Sequence, residues 1–227
     1  MLNINIPSLS SWPTDIEEAT LIQQQLRHQV SDEDQLGDIR YVAGVDVGFK
    51  DNYTITQAAV AVLTFPELEL VDKAIVTLPT CFPYIPGFLS FREVPGILKA
   101  LEKLTITPNL MICDGQGIAH PRRFGIACHL GVLIDVPTIG VAKSILVGKH
   151  SDLPPEKGSR VDLIYKGKTI GVVLRSRTNV KPLYVSIGHK ISLTTAVDYV
   201  FNCLTKYRLP ETTRLADKLS REKVDNL

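Results

Sequence analysis

The sequence is poor in the features that mark several large protein classes. It has 4 cysteines, Cys81, Cys113, Cys128 and Cys203, and no two form a C-x-x-C pair. That spacing excludes a zinc ribbon and a thioredoxin-like redox motif, and it does not suit a disulfide scaffold. Three of the four sit in apolar runs, so buried, reduced thiols and a cytoplasmic location are expected. His28, His129, His150 and His189 are scattered without zinc-ligand spacing. The most apolar stretch, Gly131 to Gly148, is broken by Asp135, Pro137 and Lys143, which makes it a poor membrane span. Met1 to Pro7 lack a basic region and a long apolar core, so no secretory signal is expected. Repeats and low-complexity linkers are also absent.

What remains is the mix of a soluble globular protein, 44% hydrophobic and 22% charged. At 227 residues, one domain is expected, with an N-terminal helix over about 14–30 and a core over about 40–225. A net charge of +1 hides an asymmetry: residues 1–113 hold 7 Lys/Arg against 14 Asp/Glu, and residues 114–227 hold 18 against 10. A basic half suits either a phosphate track or an ordinary solvated surface.

Thr14-Asp15-Ile16-Glu17 reads as a capping box with Thr14 as N-cap. Ile16, Ala19, Gln23, Leu26 and Val30 then follow one helical face. Strand-like runs follow at Tyr41–Phe49, Gln57–Thr64 and Leu70–Leu78, joined by short turns that imply antiparallel neighbours. Pro79 to Ser90 reads as loop, and Phe91 to Leu104 as a helix with Pro95 tolerated in its first turn. Strands are expected at Leu110–Cys113, Thr138–Ala142, Val161–Tyr165, Thr169–Arg175 and Pro182–Ile187. Helices are expected at Phe124–Leu133, Leu193–Lys206 and Thr213–Val224. The order implies an α/β fold with a mixed central sheet flanked by helices.

Two carboxylates stand where they are costly. Asp46 interrupts the apolar strand Val42-Ala43-Gly44-Val45-Asp46-Val47, and Asp114 ends another. Such groups need a partner, a proton or a cation. Shared between adjacent strands, they suit a hard cation such as Mg²⁺, with Mn²⁺ as a substitute. Glu93 is a candidate third ligand and Asp217 a fourth. An acidic cluster of this kind suits two-metal phosphodiester hydrolysis, one ion activating water and the other stabilising the leaving oxygen; turn-capping by either Asp alone is the plainer alternative. Lys143 ends a strand and is placed to meet a phosphate. His120 follows the Asp114 turn as a candidate catalytic group, and Arg122 and Arg123 are candidate phosphate contacts. In Pro83-Tyr84-Ile85-Pro86-Gly87, an aromatic between prolines suits a stacking wedge or a loop folded on the core.

These strings resemble the endonuclease V family. The resemblance is carried by Pro83-Tyr84-Ile85-Pro86-Gly87-Phe88-Leu89-Ser90-Phe91-Arg92-Glu93, by Asp114-Gly115-Gln116-Gly117-Ile118-Ala119-His120-Pro121-Arg122, by Gly125-Ile126-Ala127 and by Pro137-Thr138-Ile139-Gly140-Val141-Ala142-Lys143-Ser144. It runs from about residue 10 to 220. It implies an RNase H-like fold, Mg²⁺ at the carboxylates, and cutting of nucleic acid at the second phosphodiester bond 3′ of inosine, in DNA repair. Asp46, Glu93 and Asp114 match the family's metal-site acids, Tyr84 its wedge, and His120 and Lys143 positions near the cut. Gly87, Leu89, Gly115, Ile126 and Leu146 match the pocket for the extruded base, whose weak pairing lowers the cost of flipping. Departures occur at Thr212, where relatives often carry Pro, and at Asp217, where some carry His. The strand motif Gly44-Val45-Asp46-Val47-Gly48 also has Gly where relatives often have Ser.

That same strand motif also resembles the first phosphate motif of actin-like and sugar-kinase ATPases. The chain is short for two such lobes, however, and has no second Gly-rich phosphate motif. A non-cleaving inosine-binding module is disfavoured because both Asp46 and Asp114 are present. DNA and RNA stay open as substrates, and a monomer is the expected state.

Overall fold

The first three strands, β1 (Tyr41–Lys50), β2 (Ile55–Thr64) and β3 (Leu70–Pro79), form an antiparallel meander. This computed structural model describes residues 12–223. The expectations placed on Met1 to Pro7, and on a helix end at Val224, lie outside the described residues. After helix α2 (Leu89–Leu101), β4 (Leu110–Asp114) pairs parallel to β1. After α3 (Ile126–Ile134), β5 (Thr138–Ala142) pairs parallel to β4. The strands β6 (Arg160–Tyr165), β7 (Lys168–Leu174) and β8 (Leu183–His189) are antiparallel neighbours, and β8 closes onto β5. The result is one mixed eight-stranded sheet, ordered β3-β2-β1-β4-β5-β8-β7-β6. Helix α1 (Ile16–Leu26) precedes it, and α4 (Leu193–Asn202) and α5 (Glu211–Ser220) complete the described chain.

Strand side chains alternate between faces, and the two cores follow that parity. Val42, Leu110, Ile112 and Ile139 pack with Val197 and Val200 of α4 and with Ala216 and Leu219 of α5. Val45, Val60, Met111 and Cys113 pack with Ile97 and Leu98 of α2 and with Ala127 and Leu130 of α3. Each large apolar side chain fully buried this way contributes about 1.5–3 kcal/mol. Helix α5 lies very close to β1, and Gly44 permits it: a Cβ there would stand 2.1 Å from the Thr212 carbonyl oxygen.

The elements differ from expectation mainly at their ends. The N-cap of α1 is Asp15, whose carboxylate accepts from the Glu18 N–H at 2.9 Å, so the expected box is shifted by one residue from Thr14. An aspartate there also meets the positive end of the helix dipole with a full charge. Helix α2 starts at Leu89, inside the expected loop, which puts Pro95 in its second turn. Proline removes the N–H that would bond the Phe91 carbonyl. The indole N–H of Trp12 donates to that carbonyl instead, at 2.7 Å. Helix α4 ends at Asn202, four residues short of the expected Lys206.

Candidate active site

Parity and register bring the acids together. Val45 faces Cys113 across the parallel β1–β4 pair, so Asp46 and Asp114 are the next residues on each strand. Both share the parity of Val42, Leu110 and Ile112, the α5 side of the sheet. Asp217 reaches them from α5: one carboxylate oxygen from each of the three lies within 4.8 Å of the others. Glu93 comes from α2, on the opposite face. It is buried and not among the three acids whose oxygens lie within 4.8 Å of one another, but it is near enough for the charges of Asp46 and Asp114 to act on it.

The electrostatics show what such a cluster needs. Burial, together with the charges of Asp114 and Asp217, pushes the Asp46 carboxyl up to about 6, against an opposing hydrogen bond from the Ser220 hydroxyl at 2.5 Å. Burial, with the charges of Asp46 and Asp114, holds Glu93 well above the usual carboxylate range. Lys143 forms an ion pair with Asp114 and lies 3.8 Å from Asp217. Burial alone would lower its ammonium, but the charge and hydrogen bond of Asp114, with Asp46 and Asp217, raise it above its ordinary value. Arg221 pairs with Asp217 at 2.6 Å. Converging oxygen ligands whose like-charge repulsion Lys143 and Arg221 offset only in part, leaving Asp46 raised, form a donor set that fits a hard divalent cation. Sequence reasoning missed Ser220 and Arg221, although Arg221 follows Asp217 by one helical turn.

A cleft of about 350 Å³ opens beside the acids, with Asp114 and Lys143 in its wall. That is near the small end of the usual ligand-pocket range of roughly 300–1,000 Å³. Of the expected base-pocket residues, Gly87, Leu89, Gly115, Ile126 and Leu146 all line it, as do Tyr84, Ile85, Pro86 and His120. Pro83 does not; it lines a neighbouring depression with Tyr53 and Cys81. Tyr84 is 71% exposed at the mouth, so its ring is not folded onto the core.

One carbonyl anchors the loop that carries Tyr84. Gly87 has φ +83°, a left-handed conformation that glycine adopts without strain. Its oxygen accepts from Gln23 Nε2 at 3.0 Å, from His120 Nε2 at 3.0 Å and from Arg122 Nη2 at 2.7 Å. The other His120 nitrogen, Nδ1, accepts from the Arg122 N–H, so the ring is neutral with its proton on Nε2. Burial, helped by the Arg122 charge, lowers its pKa to about 4. Both ring nitrogens are therefore committed within the protein. The Arg122 guanidinium also bonds Gln23 Oε1 and stacks 4.1 Å from the Phe88 ring. It clamps the loop while remaining partly exposed. Arg123 turns inward as well, with Nη1 buried and unpaired. Gln23 went unnoticed as a site residue because it sat on the apolar stripe of α1. A polar group at a core-facing helical position was the available signal.

The four cysteines are free, and Cys113, Cys128 and Cys203 are buried; Cys81 is exposed. Among the described residues, no helix is long and apolar enough to cross a membrane.

Comparison with known proteins agrees with this geometry. The family profile described as Endonuclease V matches residues 24–218. An endonuclease V of Rippkaea orientalis is 70% identical over 220 residues, covering 97% of this chain and 96% of that protein. The crystal structure of the Streptomyces avermitilis endonuclease V superposes with a TM-score of 0.89 at 42% identity, covering 95% of each chain. A Ciona intestinalis endonuclease V, crystallised with a 24mer DNA containing an inosine followed by a ribo-adenosine, gives 0.78 at 32% identity, covering 90% of this chain and 95% of that one. The fold is thus the RNase H-like one implied by the sequence.

Proposed function

This chain belongs to the endonuclease V family of nucleases, and from that premise we propose that it is a Mg²⁺-dependent endonuclease acting at inosine. In this reading it hydrolyses the second phosphodiester bond 3′ of the inosine in DNA, as a monomeric cytoplasmic repair enzyme, and Mn²⁺ substitutes for Mg²⁺. The observation that carries the reading is adjacency: Asp114 and Lys143 belong both to the acid cluster and to the wall of a base-sized cleft. The Ciona relative, crystallised with inosine-containing DNA, supports it.

Asp46, Asp114 and Asp217 would hold the cation. Bound there, it supplies Lewis acidity toward a phosphate oxygen and makes a water molecule more acidic. Lys143 is held charged by its acid neighbours and meets the negative charge that develops on the phosphate. Glu93, whose carboxyl is raised by burial and by the charges of Asp46 and Asp114, lies behind the cluster as a further candidate ligand. His120, Gln23 and Arg122 fix the Gly87 peptide, so the backbone lining the cleft is rigid before the base arrives. Tyr84 fills the space that the extruded base leaves.

The test is a cleavage assay on matched strands carrying inosine or adenine at one position, as single-stranded DNA, duplex DNA and RNA, with Mg²⁺ or with EDTA. A cut at the second bond 3′ of inosine, in DNA and only with metal, is expected. Cutting of the adenine control at the same rate would overturn the recognition claim. Preference for the RNA strand would reassign the enzyme as an endoribonuclease.

A further inference from the structure

The tip of the β1–β2 hairpin is built in a costly way. Asp51, Asn52 and Tyr53 follow one another with φ of +48°, +53° and +68°. Left-handed backbone costs a non-glycine residue roughly 1–2 kcal/mol. The turn is nevertheless well tied. The Thr54 N–H and hydroxyl both donate to the Asp51 carbonyl, at 3.2 and 2.7 Å, and the Thr80 N–H donates to the Thr54 carbonyl at 2.8 Å. The outcome is a Tyr53 side chain that is 69% exposed.

Beneath it lies Arg92, only 5% exposed. Its guanidinium carbon sits 4.2 Å from the Phe49 ring centroid and 5.8 Å from that of Tyr53. One Nη donates to the Tyr53 carbonyl at 3.4 Å, and Nε has no acceptor. Phe49, Tyr53 and Arg92, with Tyr84, Leu89 and Glu93, line a second cleft of about 450 Å³. Tyr84 and Leu89 belong to both clefts, so the two adjoin across the Tyr84 ring.

We propose that the cleft of Phe49, Tyr53, Tyr84 and Arg92 is a second nucleobase subsite, which takes the base of the nucleotide immediately 3′ of the extruded one. The inference rests on the proposed function, in which one nucleotide separates the extruded base from the cut. The second cleft shares Tyr84 and Leu89 with the first and shares Phe49 with the depression lined by Asp46, Lys143 and Asp217, so it lies between the base cleft and the acids along one edge of the site. Its walls are two exposed rings over a stacked guanidinium, surfaces that hold the face of any base. The subsite therefore grips without reading identity.

The experiment compares wild type, Tyr53→Ala and Tyr53→Phe in Ca²⁺, by binding to duplexes with a single inosine. One duplex carries a base at the 3′ neighbour, a second an abasic site there, and a third an abasic site opposite the inosine. Stacking of one base contributes about 1–3 kcal/mol, so Tyr53→Ala should lose about 5- to 150-fold on the first duplex. Tyr53→Phe should retain most of the affinity. On the second duplex all three proteins should bind alike. A loss that persists there, or no loss anywhere, overturns the subsite. A loss that vanishes only on the third duplex assigns the cleft to the complementary strand and also overturns it. Failure of the underlying reading shows separately, as equal wild-type affinity for inosine and adenine duplexes.

Discussion

At the residue scale, the site separates groups that hold from groups that touch. In the proposed function Tyr84 touches: its ring is exposed, and the prolines Pro83 and Pro86 would limit the entropy lost on insertion. Tyr84→Ala should lose about 5- to 150-fold in affinity for an inosine duplex, the worth of one stacked base, and Tyr84→Phe should keep most of it. Binding of the three proteins in Ca²⁺ checks this, and equal losses for Ala and Phe would implicate the hydroxyl instead. Gln23 holds: its amide donates to the Gly87 carbonyl and its oxygen accepts from Arg122. One hydrogen bond is worth about 0.5–1.5 kcal/mol net. Gln23→Ala should therefore narrow the ratio of inosine to adenine affinity by about 2- to 13-fold while leaving metal affinity unchanged. An unchanged ratio would reduce Gln23 to a packing residue.

At the element scale, the position of α5 decides whether Asp217 reaches the other acids. The helix is seated by its close approach at Gly44. Gly44→Ala should push it outward and cost about 1–3 kcal/mol of stability through overpacking. Turnover should fall much further, by about 10²-fold for a shift near 1 Å, because Asp217 leaves the cluster. Melting temperature and cleavage rate on the same preparation test this, and wild-type turnover in a destabilised variant would contradict it. This scale also explains what the sequence could reveal. The strands were legible because their apolar runs were bounded by clear turns. Asp46 and Asp114 were legible because a carboxylate in such a run needs a reason. Which side each acid faces was not, because it depends on the pairing of β1 with β4 and on which helices cover which face. That is why the sequence did not show that Asp217 comes from the helix on the acids' own face and Glu93 from the other. The clamp that Arg122 forms was not legible, because nothing in its sequence neighbourhood reveals that Gln23, about a hundred residues earlier, lies against it. The early start of α2 was hidden because Trp12, far away in sequence, satisfies the carbonyl that Pro95 leaves free.

At the scale of the whole molecule, the acid cluster is a stability cost carried for function. Asp46 titrates near 6 in the folded protein against an ordinary value of 3.8. Between those values the folded state holds the extra proton, so stability in EDTA should fall as pH rises through that window and level off above it. Asp46→Asn removes the penalty. At pH 7 and without metal it should be more stable than wild type by about 1–3 kcal/mol, because each tenfold gain in proton affinity on folding is worth roughly 1.4 kcal/mol. The advantage should disappear near pH 4. Added Mg²⁺ should reverse the order, because a ligand at a hundred times its Kd stabilises by about 2.7 kcal/mol and wild type binds it better. Denaturant midpoints across pH, with and without Mg²⁺, check both signs.

In the proposed function Asp46, Asp114 and Asp217 jointly hold the cation that acts on the strand beside the base cleft. The most direct measurement is single-turnover cleavage of a duplex with one inosine at saturating Mg²⁺, by wild type and by each of the three Asp→Ala variants, with duplex affinity measured in parallel in Ca²⁺. Each variant should lose at least about 10²-fold in rate, the scale of removing one electrostatic group from a reacting centre, while still binding the duplex. Near-normal cleavage by any one of the three variants, or by wild type in EDTA, would contradict it.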